Sequence, residues 1–198
     1  MGKVVVILWL TVVFIGIIAF FWQTAWVYAL PTPVPPNYKT VNCGTYINLP
    51  ASVKIDKKPI FLHFFNPACP CSRFNIAHFK TLVKQYGHSV DFAVVVMNHE
   101  EKYNAKWVQN KLGTNIPVLF DSSVATICGV YSTPQAVIIN SDHKLYYRGN
   151  YNKSRYCTDA KSNYAQIALD SLIAGERKPR FDGQALVAYG CQLPLSKR

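Results

Sequence analysis

The stretch that decides the fold is Ile60-Phe-Leu-His-Phe-Phe-Asn-Pro-Ala-Cys69-Pro-Cys71-Ser-Arg-Phe-Asn75. It opens as a continuous apolar run, the pattern of a strand buried on both faces. Asn66-Pro67 breaks the run, and two cysteines follow with Pro70 between them. Phe74, Ala77, Phe79, Leu82, Val83 and Tyr86 then recur at three- and four-residue steps, which predicts one amphipathic helix ending at Gly87. The cysteines therefore fall where a core strand turns into a helix. The first N–H groups of a helix are unpaired and the dipole is positive there, so a thiolate at that point is favoured over the thiol. Pro70 suits the first helical position, where a missing N–H costs little. Arg73 adds positive charge nearby. Cys69 is read as the reactive sulfur and Cys71 as its resolving or auxiliary partner. The competing reading is two buried structural cysteines, or two cysteines each bridged elsewhere.

Working outward, residues 4–22 carry no charge and almost nothing polar, long enough to cross a bilayer as a helix. Trp22, Trp26 and Tyr28 follow where an interfacial aromatic belt belongs. Lys3 is the only charge before the run, so the positive-inside rule guides weakly. A short tail in the cytoplasm with the large domain exported is the expectation, and a cleaved signal ending at Val27-Tyr-Ala29 is the alternative. The expected division is an anchor over 1–29, a proline-rich linker over 30–38 and one domain over 39–198. Pro31-Thr-Pro33-Val-Pro35-Pro36 reads as an extended, semi-rigid spacer.

The chain has 198 residues, 50% of them hydrophobic, and a net charge of +11, enough for one cored domain plus appendages. Its Lys and Arg are scattered, without a basic helix or zinc-finger spacing, so the charge reads as solvated surface and not as a nucleic-acid footprint. Residues 40–53 suggest an edge strand or hairpin around Cys43. A second buried strand is expected over 90–97, a helix from Asn98 to Leu112, and a short strand over 116–120. Asp121 and Ser122 would cap a short helix ending at Cys128-Gly129. A strand over 135–140 returns through a turn at 141–144 to a strand over 145–149. A last helix is expected over 163–174.

This order, with Phe64-Phe-Asn-Pro-Ala-Cys69-Pro-Cys71 and Ser132-Thr133-Pro134-Gln135-Ala136, resembles the α/β thioredoxin-like fold, a central mixed sheet flanked by helices, over residues 59–175. With the apolar N-terminal segment, the chain resembles the anchored thiol–disulfide oxidoreductases of the bacterial cell envelope. Asp142-His-Lys-Leu-Tyr-Tyr-Arg-Gly-Asn150 is similar to the matching hairpin of redoxin and peroxiredoxin-like domains. The nearest resemblance is to an uncharacterised family of thioredoxin-like membrane proteins known as a domain of unknown function. The resemblance implies an enzyme of the bacterial inner membrane, single-pass, its domain in the periplasm. It would act on protein thiols and disulfides of the envelope, without a cofactor. It also implies that Pro134 is cis and lies beside Cys69, leaving the Thr133 backbone free to pair with a substrate peptide. Two departures stand out. The family's Cys-x-x-Cys is shortened to Cys-Pro-Cys, and the usual tryptophan before the first cysteine is absent. A Cys69–Cys71 disulfide would be a tight, labile ring; if it does not form, Cys69 works alone or Cys71 pairs elsewhere.

Four cysteines remain, and their pairing is open. Cys43, Cys157 and Cys191 are candidates for structural disulfides; Cys128 is either an auxiliary resolving thiol or a buried core thiol. Copper(I) binding by Cys69 and Cys71 is the metal alternative, resembling anchored copper chaperones of this fold. His63, His78, His99 and His143 read as core or surface groups. A thiol peroxidase is the third reading, with Ser72 and Arg73 beside the cysteine. Hydrolase and nucleotide motifs are missing.

Overall fold

The computed structural model describes residues 2–53, 57–98 and 100–193. His99 and residues 54–56 and 194–198, on which some of the expectations above fall, lie outside the described residues. Helix α1 (Gly2–Phe21) continues through a π-helical turn, Trp22–Trp26, into the short α2 (Val27–Ala29). The span Gly2–Trp26 is long and apolar enough to cross a membrane. The domain then follows in order: β1 (Ile60–Phe65), α3 (Pro70–Phe74), α4 (Ile76–Tyr86), β2 (Asp91–Val96), α5 (Ala105–Leu112), β3 (Val118–Leu119), α6 (Ser123–Cys128), β4 (Ser132–Thr133), β5 (Gln135–Ile139), β6 (Leu145–Gly149), α7 (Tyr164–Ile173) and β7 (Cys191–Gln192).

Five strands form one mixed sheet in the order β3-β2-β1-β5-β6. β1 sits at its centre, parallel to β2 and antiparallel to β5. Its six residues are all buried, which explains the unbroken apolar run. Alternate side chains feed two cores. Phe61 and Phe65 join Phe79, Leu82 and Tyr86 of α4 on one face. Leu62 and Phe64 join Val124 and Ala125 of α6 on the other. This is a thioredoxin-like fold.

Three elements differ from the sequence reading. Residues 40–53 form no strand; Tyr46 makes one isolated bridge to Lys144. α5 starts at Ala105, because the Asn104 side chain accepts the Trp107 N–H and caps the helix there. The helix expected over 70–86 is interrupted at Asn75, which splits it into α3 and α4. At the start of the expected spacer, Pro31 bridges Tyr189 and the Thr32 N–H donates to the Ala188 carbonyl at 2.8 Å.

His63 is the one ionisable side chain on β1. It is fully buried, stacks on Phe79 at 4.4 Å, and has the Tyr151 hydroxyl 2.6 Å from Nδ1. Burial holds its pKa down at about 3. The native state thus keeps the ring neutral, while the unfolded chain protonates it below about pH 6.5. Stability is complete above that value and falls as pH drops towards 3, with a limiting slope of about 1.4 kcal/mol per pH unit from this group. Urea unfolding measured from pH 7 to pH 4 should show the decline, and His63→Phe should flatten it. An unchanged slope in that variant would place the acid sensitivity elsewhere.

Candidate functional site: a three-sulfur cluster beside a cis proline

The site is built at the end of β1. The Asn66 side chain accepts the Ala68 N–H at 3.0 Å, and its backbone carbonyl accepts the Cys69 N–H at 3.0 Å. This local turn swings the chain from strand to helix. Cys69 takes the N-cap position with extended backbone, and Pro70 enters the first turn. Ser72 closes the turn by accepting the Asn66 N–H through Oγ at 3.2 Å. At the break, the Asn75 amide donates to the Cys71 carbonyl at 3.1 Å and accepts from the Cys157 thiol at 3.0 Å.

Cys69 is disulfide-bonded, and its partner is Cys191, not Cys71 (S–S 2.07 Å, sequence separation 122). Cys191, expected as a staple for the later part of the chain, belongs to the centre itself. Cys43, Cys71, Cys128 and Cys157 are free thiols. The sulfurs of Cys69, Cys71 and Cys191 all lie within 4.8 Å of one another. Cys69 and Cys71 are buried and Cys191 is partly exposed.

The Thr133–Pro134 bond is cis, and the Thr133 carbonyl lies 3.6 Å from the Cys69 sulfur. A disulfide sulfur carries no proton, so this is a contact and not a hydrogen bond. The Thr133 backbone is not free: β4 pairs antiparallel with β7, placing Thr133 opposite Cys191 and Ser132 opposite Gln192.

Arg73, expected to supply charge, is exposed. The cation beside the cluster is Arg155, from the loop after β6. Its guanidinium neighbours Cys71 and lowers that thiol's pKa, but burial outweighs it and the net shift is upward. Arg155 Nη2 donates to the Thr24 carbonyl at 3.0 Å and to the Tyr156 hydroxyl at 2.6 Å. The guanidinium also lies over the rings of Tyr156, Tyr28 and Phe74 at 4.8–5.5 Å. Its Nη1 is buried with no hydrogen-bond partner among the described residues.

The remaining thiols are placed elsewhere. Cys128 packs in the core under α6, where burial pushes its pKa up to about 12. Cys157 is likewise pushed up to about 12 by burial, with Asn75 accepting its proton. Cys43 is exposed. His63 on β1 and His78 on α4 both pack against the Tyr151 ring, and His143 occupies the turn before β6.

Sequence reasoning missed Cys191 and Arg155. Leu186-Val-Ala-Tyr-Gly-Cys191 carries no alternating pattern, and nothing local says which edge it joins. Native protein treated with iodoacetamide should be alkylated first at Cys43, with Cys128 reacting only after denaturation. Peptide mapping without reductant should recover a fragment pair linked through Cys69 and Cys191; a Cys69–Cys71 linkage would overturn the assignment.

Two solved structures have the same architecture over most of the chain. An uncharacterised conserved protein from Geobacillus kaustophilus is 21% identical, with TM-score 0.66, covering 84% of this chain and 100% of its own. A hypothetical protein from Sinorhizobium meliloti 1021 is 17% identical, with TM-score 0.64, covering 81% and 98%. The peroxidoxin BcpB of Mycobacterium tuberculosis is 20% identical, with TM-score 0.52, covering 68% and 98%. At these identities the likeness establishes the fold. The chain matches no curated protein sequence. The family model of the domain of unknown function DUF6436 matches residues 39–192, the whole region that carries the sheet, the sulfur cluster and the cis proline, and the chain belongs to that family.

Proposed function

We propose that the chain is a membrane-anchored thiol–disulfide oxidoreductase acting outside the cytoplasm, with Cys69 as the exchanging sulfur. The observation that carries this reading is the cluster of three cysteine sulfurs within 4.8 Å, two of them already bonded, on a thioredoxin-like scaffold. The apolar span Gly2–Trp26 supports the anchor.

In the reduced form the Cys69 thiolate attacks a substrate disulfide. A mixed disulfide forms, and one substrate thiolate leaves and takes up a proton. The Cys191 thiolate then attacks the Cys69 sulfur, the second substrate thiolate leaves, and Cys69–Cys191 is restored. The protein dithiol is oxidised by two electrons and the substrate disulfide is reduced by two. A dithiol donor reopens the bond, and the same steps in reverse oxidise a substrate dithiol. Cys191 replaces Cys71 as the resolving sulfur because it is the one already bonded and partly exposed. Cys71, buried and protonated, sits behind as a third thiol with Arg155 beside it.

A second reading has one observation in its favour. Once reduced, three thiols this close suit a soft monovalent cation such as copper(I). Of the pair on which the peroxidase reading rests, Ser72 Oγ accepts the Asn66 N–H and Arg73 is exposed.

The test uses the full chain in detergent micelles with a small dithiol and a protein disulfide as substrates. Cys69→Ser should lower the exchange rate by about a hundredfold or more, because the nucleophile is lost. Cys71→Ser should stay within a few-fold of the natural chain. Equal loss in both variants would move the resolving role back to Cys71, and stoichiometric copper(I) uptake without exchange would favour the chaperone.

A further inference from the structure

The segment that carries Cys191 sits in an unusual relation to the cluster. It is an extended strand, it hydrogen-bonds to a two-residue edge, and its cysteine is disulfide-bonded to the sulfur assigned as nucleophile. Those are the features expected of a trapped substrate: main-chain pairing supplies affinity and a mixed disulfide supplies the covalent link. Here both come from the chain itself.

The hold is uneven along the segment. Tyr189 is buried and its hydroxyl donates to the Asn152 carbonyl at 2.8 Å, while its own carbonyl accepts from Ser132 Oγ. Gly190 follows with φ +109, a conformation natural to glycine. A Cβ there would stand 2.4 Å from the Thr133 carbonyl oxygen. Beyond it the described chain is held at three residues, of which Leu193 packs partly buried against the core fed by Leu62 and Phe64. Cys191 and Leu193 are partly exposed and Gln192 is exposed. Apart from the disulfide and the β4 pairing, the Leu193 N–H donates to the Tyr131 carbonyl at 3.2 Å. Tyr189 is thus the fixed end, Gly190 the pivot and 191–193 the part that can lift once the S–S bond is reduced.

Where 191–193 runs out, a cleft of about 820 Å³ begins, lined by Tyr38, Met97, Ile127, Val130, Tyr131 and Leu193 among others. The antiparallel direction sends residues after the cysteine towards Tyr131 and into this mostly apolar cleft.

We propose that residues 191–193 are a built-in competitor of the substrate strand: they occupy the Ser132–Thr133 edge, where the resemblance leads one to expect a substrate peptide, and the substrate they mimic is an extended segment with a cysteine followed two positions later by an apolar residue that enters the adjoining cleft. This rests on the exchange reading above and names its substrate class. In the reduced protein, 191–193 lifts and a substrate strand bearing a disulfide takes its place. Cys69 attacks the substrate sulfur, the Cys69–substrate bond forms and the other substrate thiolate leaves. Return of 191–193 then does two things together: its backbone retakes the Thr133 edge, and its thiolate displaces the substrate thiolate from Cys69. Product release is coupled to strand return.

The experiment uses the full chain with Cys191→Ser, reduced and in detergent. The probe is a synthetic peptide with the sequence of residues 187–193, its cysteine activated as the mixed disulfide with thionitrobenzoate. A scrambled peptide with the same activated cysteine is the control. Release of thionitrobenzoate gives the rate, and mass mapping gives the site. The native-order peptide should react at Cys69 about tenfold faster than the scrambled one, the scale of one or two added hydrogen bonds and apolar contacts. Replacing its last residue by Asp should remove the advantage. Equal rates at Cys69 for the two peptides would overturn the proposal and leave the exchange reading standing, whereas no reaction at Cys69 with either would sink both. Gly190→Ala, in the chain with its cysteines intact and reduced, is the second variant. It weakens closure of the competitor, so it should speed reaction with the native-order peptide; an unchanged or slower rate would count against the proposal.

Discussion

The antiparallel pairing of β1 with β5 is the constraint from which the site follows. Phe64 stands opposite Gln135, so β5 begins level with the end of β1. The two residues before Gln135 are Thr133 and Pro134, and the residues after Phe65 are the turn that leads to Cys69. One register therefore forces the cis-proline bend against the strand-to-helix turn. A slip of one residue would invert which side chains reach each core and would carry Thr133 away from residue 69. The register is held by the two clusters that β1 feeds, with Phe61 and Phe65 on one side and Leu62 and Phe64 on the other. The apolar run that reads as a buried strand is thus also what aims the chemistry.

Desolvation sets the buried free thiols apart from the bonded pair. A thiol with pKa near 12, such as Cys128 or Cys157, is ionised in only about one molecule in 10^5 at pH 7. Neither can serve as a nucleophile without leaving its pocket. Cys71 is also raised, with Arg155 acting against the burial. The helix that begins beside Cys69 is only five residues long, so its dipole is a weaker source of activation than an uninterrupted helix over 70–86 would be. The centre's chemistry rests more on proximity. A sulfur already within bonding distance of its partner has no encounter cost to meet, and this favours exchange within the cluster over exchange with any other thiol of the chain.

The fold was legible because its signals are local. Continuous apolar runs marked β1 and β2, three- and four-residue spacing marked α4, and two short runs about a polar turn marked β5 and β6, while the two-residue β4 carried no signal. The placement of the Thr133–Pro134 bond beside Cys69 was legible only through the resemblance, since no local pattern specifies a contact such as that of Cys69 with Thr133, 64 residues apart. The break at Asn75 was not legible, because the apolar spacing runs straight through it; only the Asn75 side chain, engaged with the Cys71 carbonyl and the Cys157 thiol, shows why the helix parts there. The Cys69–Cys191 bond was hidden for a different reason. Six cysteines permit many pairings, and the shortened Cys-Pro-Cys motif drew attention to the neighbour two residues away. Arg155 was hidden in a polar loop, where a lone arginine carries no pattern at all.

The apolar N-terminal segment and the sulfur cluster meet at two places. Arg155 donates to the Thr24 carbonyl near the end of that segment while its guanidinium lies beside Cys71. Pro31 and Thr32 pair with Tyr189 and Ala188, one residue from the Gly190 pivot. With α1 read as an anchor, both ties hold the cluster on the side of the domain next to the bilayer. The same two ties explain how Tyr189 can stay fixed while 191–193 lifts: it is clamped between a segment that leads to the anchor and the edge strand β4. Among the described residues beyond the glycine the hold is the covalent bond, the short β4 pairing and the packing of Leu193 against the core, so reduction removes the covalent part of it.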